Sequence, residues 1–152
     1  MRKGTITRAV VLLAAASLAV ASAACGDSEG VSKTDYLASA RAVCQTGRQS
    51  LAEASAAAFA KVPPGQTMSA PEIDSFVRQS VIPTLRDQVR QLRALPPPKG
   101  KKGKVEEIYR ALEKGLDELE KAPKRLIDGT NPFRDAERLA TKYGIGVCAT
   151  TG

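Results

Sequence analysis

The chain contains no histidine and no tryptophan, and it has three phenylalanines and three tyrosines among 152 residues. Histidine is the usual general base near neutral pH and the commonest zinc ligand, so its absence excludes Ser-His and Cys-His nucleophiles and the Glu-x-x-His ligands of di-iron bundles. The sequence also lacks a phosphate-binding glycine loop, a nucleophile elbow and a Cys-x-x-Cys pair. We therefore expect a non-catalytic protein without a metal or cofactor.

The N-terminal segment has the three-part layout of an export signal. Arg2, Lys3 and Arg8 precede an apolar run over residues 9–21, and small residues follow it. The run of about 13 residues is too short to span a bilayer comfortably as an ordinary transmembrane helix. The pattern predicts an exported protein, held at a membrane, if at all, through its N-terminus.

Two cleavage sites compete at the end of this signal. The stretch Ser22-Ala23-Ala24-Cys25 resembles a bacterial lipobox, in which the cysteine thiol takes a diacylglycerol thioether and becomes residue one, although Ser22 stands where leucine is usual. The triplet Ala21-Ser22-Ala23 also fits ordinary signal peptidase, which would release the protein. We interpret residues 1–24 as a lipoprotein signal peptide, Cys25 as the lipidation site, residues 25–33 as a flexible tether and 34–152 as the folded domain.

Cysteine arithmetic favours the lipoprotein interpretation. Three cysteines in an exported protein leave one unpaired. If Cys25 carries lipid, Cys44 and Cys148 remain and can form a disulfide, which oxidising compartments permit. We predict this pairing.

The charge of the chain excludes a nucleic-acid partner. The formal charge is +7, and removal of the signal peptide lowers it to about +4, which is only mildly basic. One dense basic segment, PPPKGKKGK, carries Lys99, Lys101, Lys102 and Lys104. We expect it to be a mobile, solvated loop that either contacts anionic lipid headgroups or only connects two helices.

Apolar and small residues recur every three or four positions over most of the remaining chain, which predicts four amphipathic helices. The first is capped by Ser32 or Thr34 and ends near Lys61, before two prolines; the second opens with the capping box Ser69-Ala70-Pro71-Glu72 and is kinked by Pro83. The third follows the basic loop and reaches Pro123, which ends or bends it. The fourth begins at Asn131 and closes at Gly144.

Four such helices joined by short connections favour an all-α, up-down-up-down four-helix bundle with a short fourth helix. In that topology the beginning of the first helix and the end of the fourth lie at the same end of the bundle. Cys44 and Cys148 are then placed to meet.

The remaining polar clusters are interpreted as structural. Acidic residues on the third helix alternate with lysines and indicate a solvated face (Glu106, Glu107, Glu113, Asp117, Glu118, Glu120). Arginines along the second helix could instead receive an anionic partner (Arg78, Arg86, Arg90, Arg93). Tyr36, Tyr109 and Tyr143 could line a ligand pocket, but their spacing favours core positions with hydroxyls at the rim.

The segments DYLASARAVCQTGRQSL and AERLATKYGIGVC resemble the two ends of small, alanine-rich, all-helical envelope lipoproteins of high-GC Gram-positive bacteria. The resemblance implies a disulfide from the first helix to a cysteine after a terminal Tyr-Gly turn, here Tyr143-Gly144 and Cys148. It says little about activity, because such families are largely uncharacterised.

These observations predict a non-catalytic, lipid-anchored binding or adaptor module on the outer face of the cytoplasmic membrane. Its partners would be the membrane, through the N-terminal lipid, and an envelope protein or small ligand. Two alternatives stay open: an extracytoplasmic enzyme that uses carboxylates alone, and a structural spacer.

Overall fold

A computed structural model describes residues 30–146, and these residues are predominantly helical with no strand among them. The predicted all-α class is confirmed. None of the helices in this range is both long and apolar enough to cross a membrane. The α-helices are α1 (Lys33–Phe59), α2 (Ala70–Phe76), α3 (Ile82–Ala94), α4 (Lys102–Lys121) and α5 (Arg134–Tyr143).

Helix α1 begins where the sequence predicts it. The Ser32 hydroxyl oxygen accepts a hydrogen bond from the Asp35 backbone N–H at 3.1 Å, which satisfies one of the free donors at the helix start. The buried positions of α1 all lie in its first half: Tyr36, Ala40, Cys44 and Gly47. The stripe continues through Leu51 with the same spacing, but no residue after Gly47 is buried.

The predicted second helix is one continuous helical rod with a wide turn in its middle. The Ser69–Glu72 capping box is formed at its start. A π-helical segment, Val77–Val81, joins α2 to α3 and ends two residues before Pro83. Proline has no N–H and its ring clashes with the carbonyl four residues earlier, so one wide turn accommodates it inside the rod.

The connection between α3 and α4 differs from the predicted mobile loop. Lys102 and Lys104 belong to the first turn of α4, and only Lys99 and Lys101 precede it. Pro98 is fully buried and forms a parallel bridge with Val31. Lysine is a good helix former and a single glycine costs about 1 kcal/mol, so the composition of this segment does not prevent α4 from beginning at Lys102.

The same bridge shortens the predicted tether of residues 25–33. Val31 packs against the core and Lys33 already begins α1. The folded part therefore includes residues 30–33. The sequence interpretation missed this because a single valine flanked by polar residues has no periodicity.

Pro123 ends α4 and opens a short 3-10 helix, Pro123–Leu126. Asn131 then accepts a hydrogen bond from the Phe133 backbone N–H through its side chain, at 2.9 Å, just ahead of α5. Gly144 closes α5 in the left-handed conformation, with φ of 107°, as predicted.

The core lies where α3 packs against both α1 and α4, and α4 packs in turn against α5. Gly115 allows a close approach of α4 to the residues before α5, because a Cβ there would overlap the Phe133 ring and the Pro132 carbonyl oxygen. The largest fully buried side chains are Tyr36, Leu92, Ile108, Leu119, Ile145, Val77, Pro98 and Cys44.

Candidate functional site

Two series of opposite charge line the contact between α3 and α4. Arg86 and Arg93 are seven residues apart on α3, and Glu106, Glu113 and Glu120 are spaced by seven on α4. A spacing of seven returns a side chain to nearly the same face of a helix. Each helix therefore presents one charged edge to the other.

Arg93 is the centre of this charged contact. Its Nε and Nη2 donate to the two carboxylate oxygens of Glu113 at 3.1 and 2.9 Å, and its Nη1 donates to Glu106 at 2.8 Å. These bonds raise the pKa of Arg93, with Glu113 as the larger cause. The guanidinium carbon also lies 5.3 Å from the centre of the Tyr109 ring. Two carboxylates and an aromatic face thus fix the orientation of one side chain.

A groove of about 470 Å³ opens beside Arg93. Its apolar lining is Val89 and Leu116, which are both buried. Its charged rim combines both signs: Arg86, Arg90, Arg93, Glu113 and Asp117. Arg90 is the most exposed of the paired arginines, with 77% of its side chain accessible although it contacts Asp87. The groove can therefore offer a ligand an apolar surface and exchangeable ionic partners.

Three tyrosines lie under the charged contact as one cluster. The hydroxyls of Tyr36 and Tyr109 share a hydrogen bond of 2.5 Å, and the Tyr109 hydroxyl donates to the Leu92 carbonyl at 2.9 Å. Tyr143 packs edge-on against Tyr36, with ring centres 6.1 Å apart, and its buried hydroxyl has no hydrogen-bond partner within residues 30–146. Burial is the largest cause of the raised pKa of all three phenols. The predicted core position is correct, but the hydroxyls are buried, not at the rim.

A second, more polar pocket of about 370 Å³ lies between α4 and α5. Lys114, Glu118, Arg125 and Asp135 line it together with residues of the loop before α5. Arg125 and Glu118 are paired across it at 2.7 Å. The pocket is therefore occupied in part by its own ion pair.

Within residues 30–146 no three Cys, Asp or Glu side chains are grouped so that they could hold a metal ion. Two carboxyl groups have a lowered pKa, and both bond to nearby hydroxyls and backbone N–H groups: Glu72 through Ser69 and Asp128 through Thr130. A carboxyl group that serves as a general acid at neutral pH needs a raised pKa instead. Neither group has that property.

The predicted site residues fall in three places. Cys25 and Cys148 lie outside the described residues, so lipidation and the Cys44–Cys148 pairing stay predictions. Cys44 is fully buried, is disulfide-bonded and receives a hydrogen bond of 3.5 Å from the Gln88 amide. The four lysines of the basic segment are all exposed and lie together at the start of α4 (Lys99, Lys101, Lys102, Lys104).

The charged contact between α3 and α4 is the feature that the sequence interpretation missed. Glu106 and Glu113 bind Arg93, and Glu120 binds Arg86 at 2.6 Å, so these acids are not merely a solvated face. The arginines considered as an anion site each contact a carboxylate of this chain. The signal in the sequence was the shared spacing of seven residues, between the arginines of α3 and between the glutamates of α4, which could have predicted that the two series pair.

Comparison of the chain with protein-family models, with curated proteins and with solved structures gives no match. The function must therefore be argued from the residues described above.

Proposed function

We propose that the protein is a non-catalytic, lipid-anchored helical module that binds a peptide segment or small ligand in the cell envelope. Residues 1–24 are its signal peptide, and Cys25 carries the lipid on the outer face of the cytoplasmic membrane. The observation that carries the binding role is the α3–α4 groove, where buried Val89 and Leu116 lie beside exposed charges of both signs. Binding sites commonly combine an apolar surface with a few convergent polar groups.

An up-down-up-down order of helices is part of this proposal. Arg86, early in α3, pairs with Glu120 at the end of α4, whereas Arg93 pairs with Glu106 near the start of α4. Reversed pairing of this kind supports antiparallel neighbours. The Arg41 side chain at the start of α1 donates to the Gly144 carbonyl at the end of α5, which supports the same order for α1 and α5.

The charges around the groove also favour binding over catalysis. The carboxylates of Glu113 and Glu106 both bind the Arg93 guanidinium, so their oxygens are engaged in contacts within the chain. Arg86 and Arg90, by contrast, are at least half exposed and can exchange their partners for a ligand carboxylate at low cost.

Site-specific crosslinking tests the groove. A photoreactive residue at Asp117 samples the groove, whereas one at Lys114 on the same helix samples the second pocket. In intact cells we expect a discrete adduct from position 117 that position 114 does not give, and loss of that adduct in Arg90→Glu. Equal adducts at both positions, or an adduct unaffected by Arg90→Glu, would contradict the assignment.

Anchoring is tested separately at Cys25. We expect mass spectrometry of the mature protein to show a diacylglycerol on an N-terminal Cys25, and Cys25→Ala to leave the precursor unprocessed or to release the protein from membranes. An unmodified mature N-terminus at Ala24 would show plain secretion instead.

A further inference from the structure

The described chain begins at a fixed point beside the basic segment. The Val31 N–H donates to the Pro97 carbonyl at 3.0 Å, and the Lys99 N–H donates to the Val31 carbonyl at 3.0 Å. Gly30, with φ of 120°, approaches so closely that a Cβ there would overlap the Pro97 carbonyl oxygen. Backbone bonds on both sides therefore hold the entry of the chain against the segment that carries the lysines.

The lysines at this point are largely uncompensated. Among residues 30–146, Lys99, Lys101 and Lys102 have no carboxylate within ion-pair distance. Lys104 reaches Glu107 at 3.6 Å, in a pair that is mostly exposed. The first turn of α4 contains no acidic residue. Four cations thus lie at the N-terminal end of α4, where the helix dipole is also positive. This arrangement lowers the free energy of unfolding unless anions are nearby.

The covalent chain limits how far this patch can lie from an anchor at Cys25. Gly30 is the fifth residue after Cys25, and an extended chain covers at most about 3.6 Å per residue, or roughly 18 Å over these five steps. An anchored Cys25 therefore keeps Gly30, beside the lysine patch, within little more than two Debye lengths (about 8 Å each) of the headgroups at physiological salt. The end of α4 at Lys121 lies about 29 Å further along its helix axis.

We propose that Lys99, Lys101, Lys102 and Lys104 contact anionic lipid headgroups and thereby turn this end of the domain toward the membrane. The proposal rests on the anchoring at Cys25 given above. It identifies the partner as an anionic membrane surface, because the patch is exposed, is basic and sits at the anchored end. With the lysine end at the membrane, the α3–α4 groove lies on the side of the domain and is accessible to a ligand in the envelope.

The first test labels amines on the lipidated protein reconstituted in vesicles. With a third of the lipid as phosphatidylglycerol, we expect labelling at residues 99–104 to slow at least threefold relative to phosphatidylcholine vesicles, and 0.5 M salt to remove the difference. Lys61 and Lys121 are exposed controls whose labelling should not change. Unchanged labelling of the patch, or equal slowing at Lys121, would overturn the proposal.

The second test uses matched charge removal in the mature chain with Cys25→Ser. Replacing the four lysines of the patch by serine should weaken binding to anionic vesicles more than tenfold, because each lysine near such a surface contributes about a fivefold effect. The control replaces Lys61, Lys114, Lys121 and Lys142, which removes the same charge elsewhere. A loss as large in the control would show a net-charge effect and overturn the proposal.

Two further arms separate the outcomes. If soluble glycerol phosphate in detergent slows labelling of the patch as strongly as vesicles do, the patch binds a free anion and the membrane contact is wrong. If mass spectrometry finds no lipid on Cys25, the proposed anchoring fails by itself. The headgroup contact is then still measured after coupling Cys25 to a maleimide lipid, and slowed labelling there would support it.

Discussion

The two halves of α1 contrast sharply, although their sequence pattern is the same. In the first half, Tyr36, Ala40, Cys44 and Gly47 are buried at successive stripe positions. In the second half, Leu51 is only partly buried, and Phe59 is 58% exposed. The difference follows the packing of α1, which lies against α3 with its four buried residues and not against α2, which has none. A helical stripe is therefore buried only where another helix packs against it.

We call the first region the tyrosine end, defined by Tyr36, Leu92, Tyr109 and Tyr143. The second is the alanine-rich end, defined by residues 51–60 of α1 and the loop that follows, with α2. Large side chains bury more apolar area per contact than alanine, at roughly 25 cal/mol per Å². Most of the free energy of folding should thus come from the tyrosine end.

The largest effect tests this difference with one kind of substitution. Leu92→Ala at the tyrosine end removes a side chain that is 0% exposed and should lower the free energy of unfolding by about 2–5 kcal/mol. Leu51→Ala at the alanine-rich end should cost less than half as much, because its cavity is open to solvent. Urea denaturation of both variants gives the comparison, and equal losses would contradict it.

A second pair of variants tests close packing along α4. Gly115→Ala should destabilise the protein by about 1–3 kcal/mol, because its methyl group would overlap the Phe133 ring and the rigid Pro132 carbonyl. The control is Gly103→Ala, on the same helix, where an added Cβ would meet no described atom within 4 Å apart from its chain neighbours and its own helix backbone. Alanine favours helix over glycine, so this control should raise the melting temperature slightly. A neutral Gly115→Ala would mean that α4 and α5 separate easily.

The tyrosines provide a prediction about alkaline pH. Burial raises the pKa of Tyr36, Tyr109 and Tyr143 above the unfolded value of about 10. A raised pKa means that the cluster's stabilisation is fully present below pH 10 and is lost as the pH rises through the folded values. Between pH 10 and its own folded pKa, each phenol lowers the free energy of unfolding by about 1.4 kcal/mol per pH unit.

The measurement is direct because these three are the only tyrosines of the chain. Tyrosinate absorbance should stay near zero up to about pH 10 and then rise together with the loss of helical signal. Tyr36→Phe removes one of the three ionisable phenols. Between pH 7 and alkaline pH the variant should therefore lose less stability than the unchanged protein, so its transition moves to higher pH once the two stabilities at pH 7 are allowed for. Ionisation of all three phenols at pH 10 in a fully helical protein would show that the cluster is open to solvent.

The sequence predicted most of the helical boundaries, because their signals are local. Caps such as Ser32 and Glu72, and the closing Gly144, act within four residues of the chain. The core positions of α4 also follow from a period near 3.6 over a long helix. These features could be predicted without knowing which other helices pack against them.

The features that were missed depend on distant residues. The Val31–Pro98 bridge joins segments 67 residues apart, and one valine beside polar residues contains no sign of it. The Arg93 contacts reach 13 and 20 residues along the chain. Considered alone, the charged residues of α3 or of α4 have the pattern of an ordinary solvated helix face. Only the register between α3 and α4, which packing of Leu92 and Tyr109 helps to set, turns the charges toward each other.

The smallest predicted effect concerns this register. Arg93→Lys keeps the charge but removes the planar guanidinium, which binds Glu113 and Glu106 at the same time and lies over the Tyr109 ring. We expect a loss of about 0.5–1 kcal/mol, since the side chain is 35% exposed and exposed ion pairs contribute little singly. Arg138→Lys is the control, because the Arg138–Asp135 ion pair is about two-thirds exposed, and it should change stability by less than the error. If both variants behave alike even at low salt, Arg93 does not link α3 to α4, and packing alone sets the register at the tyrosine end.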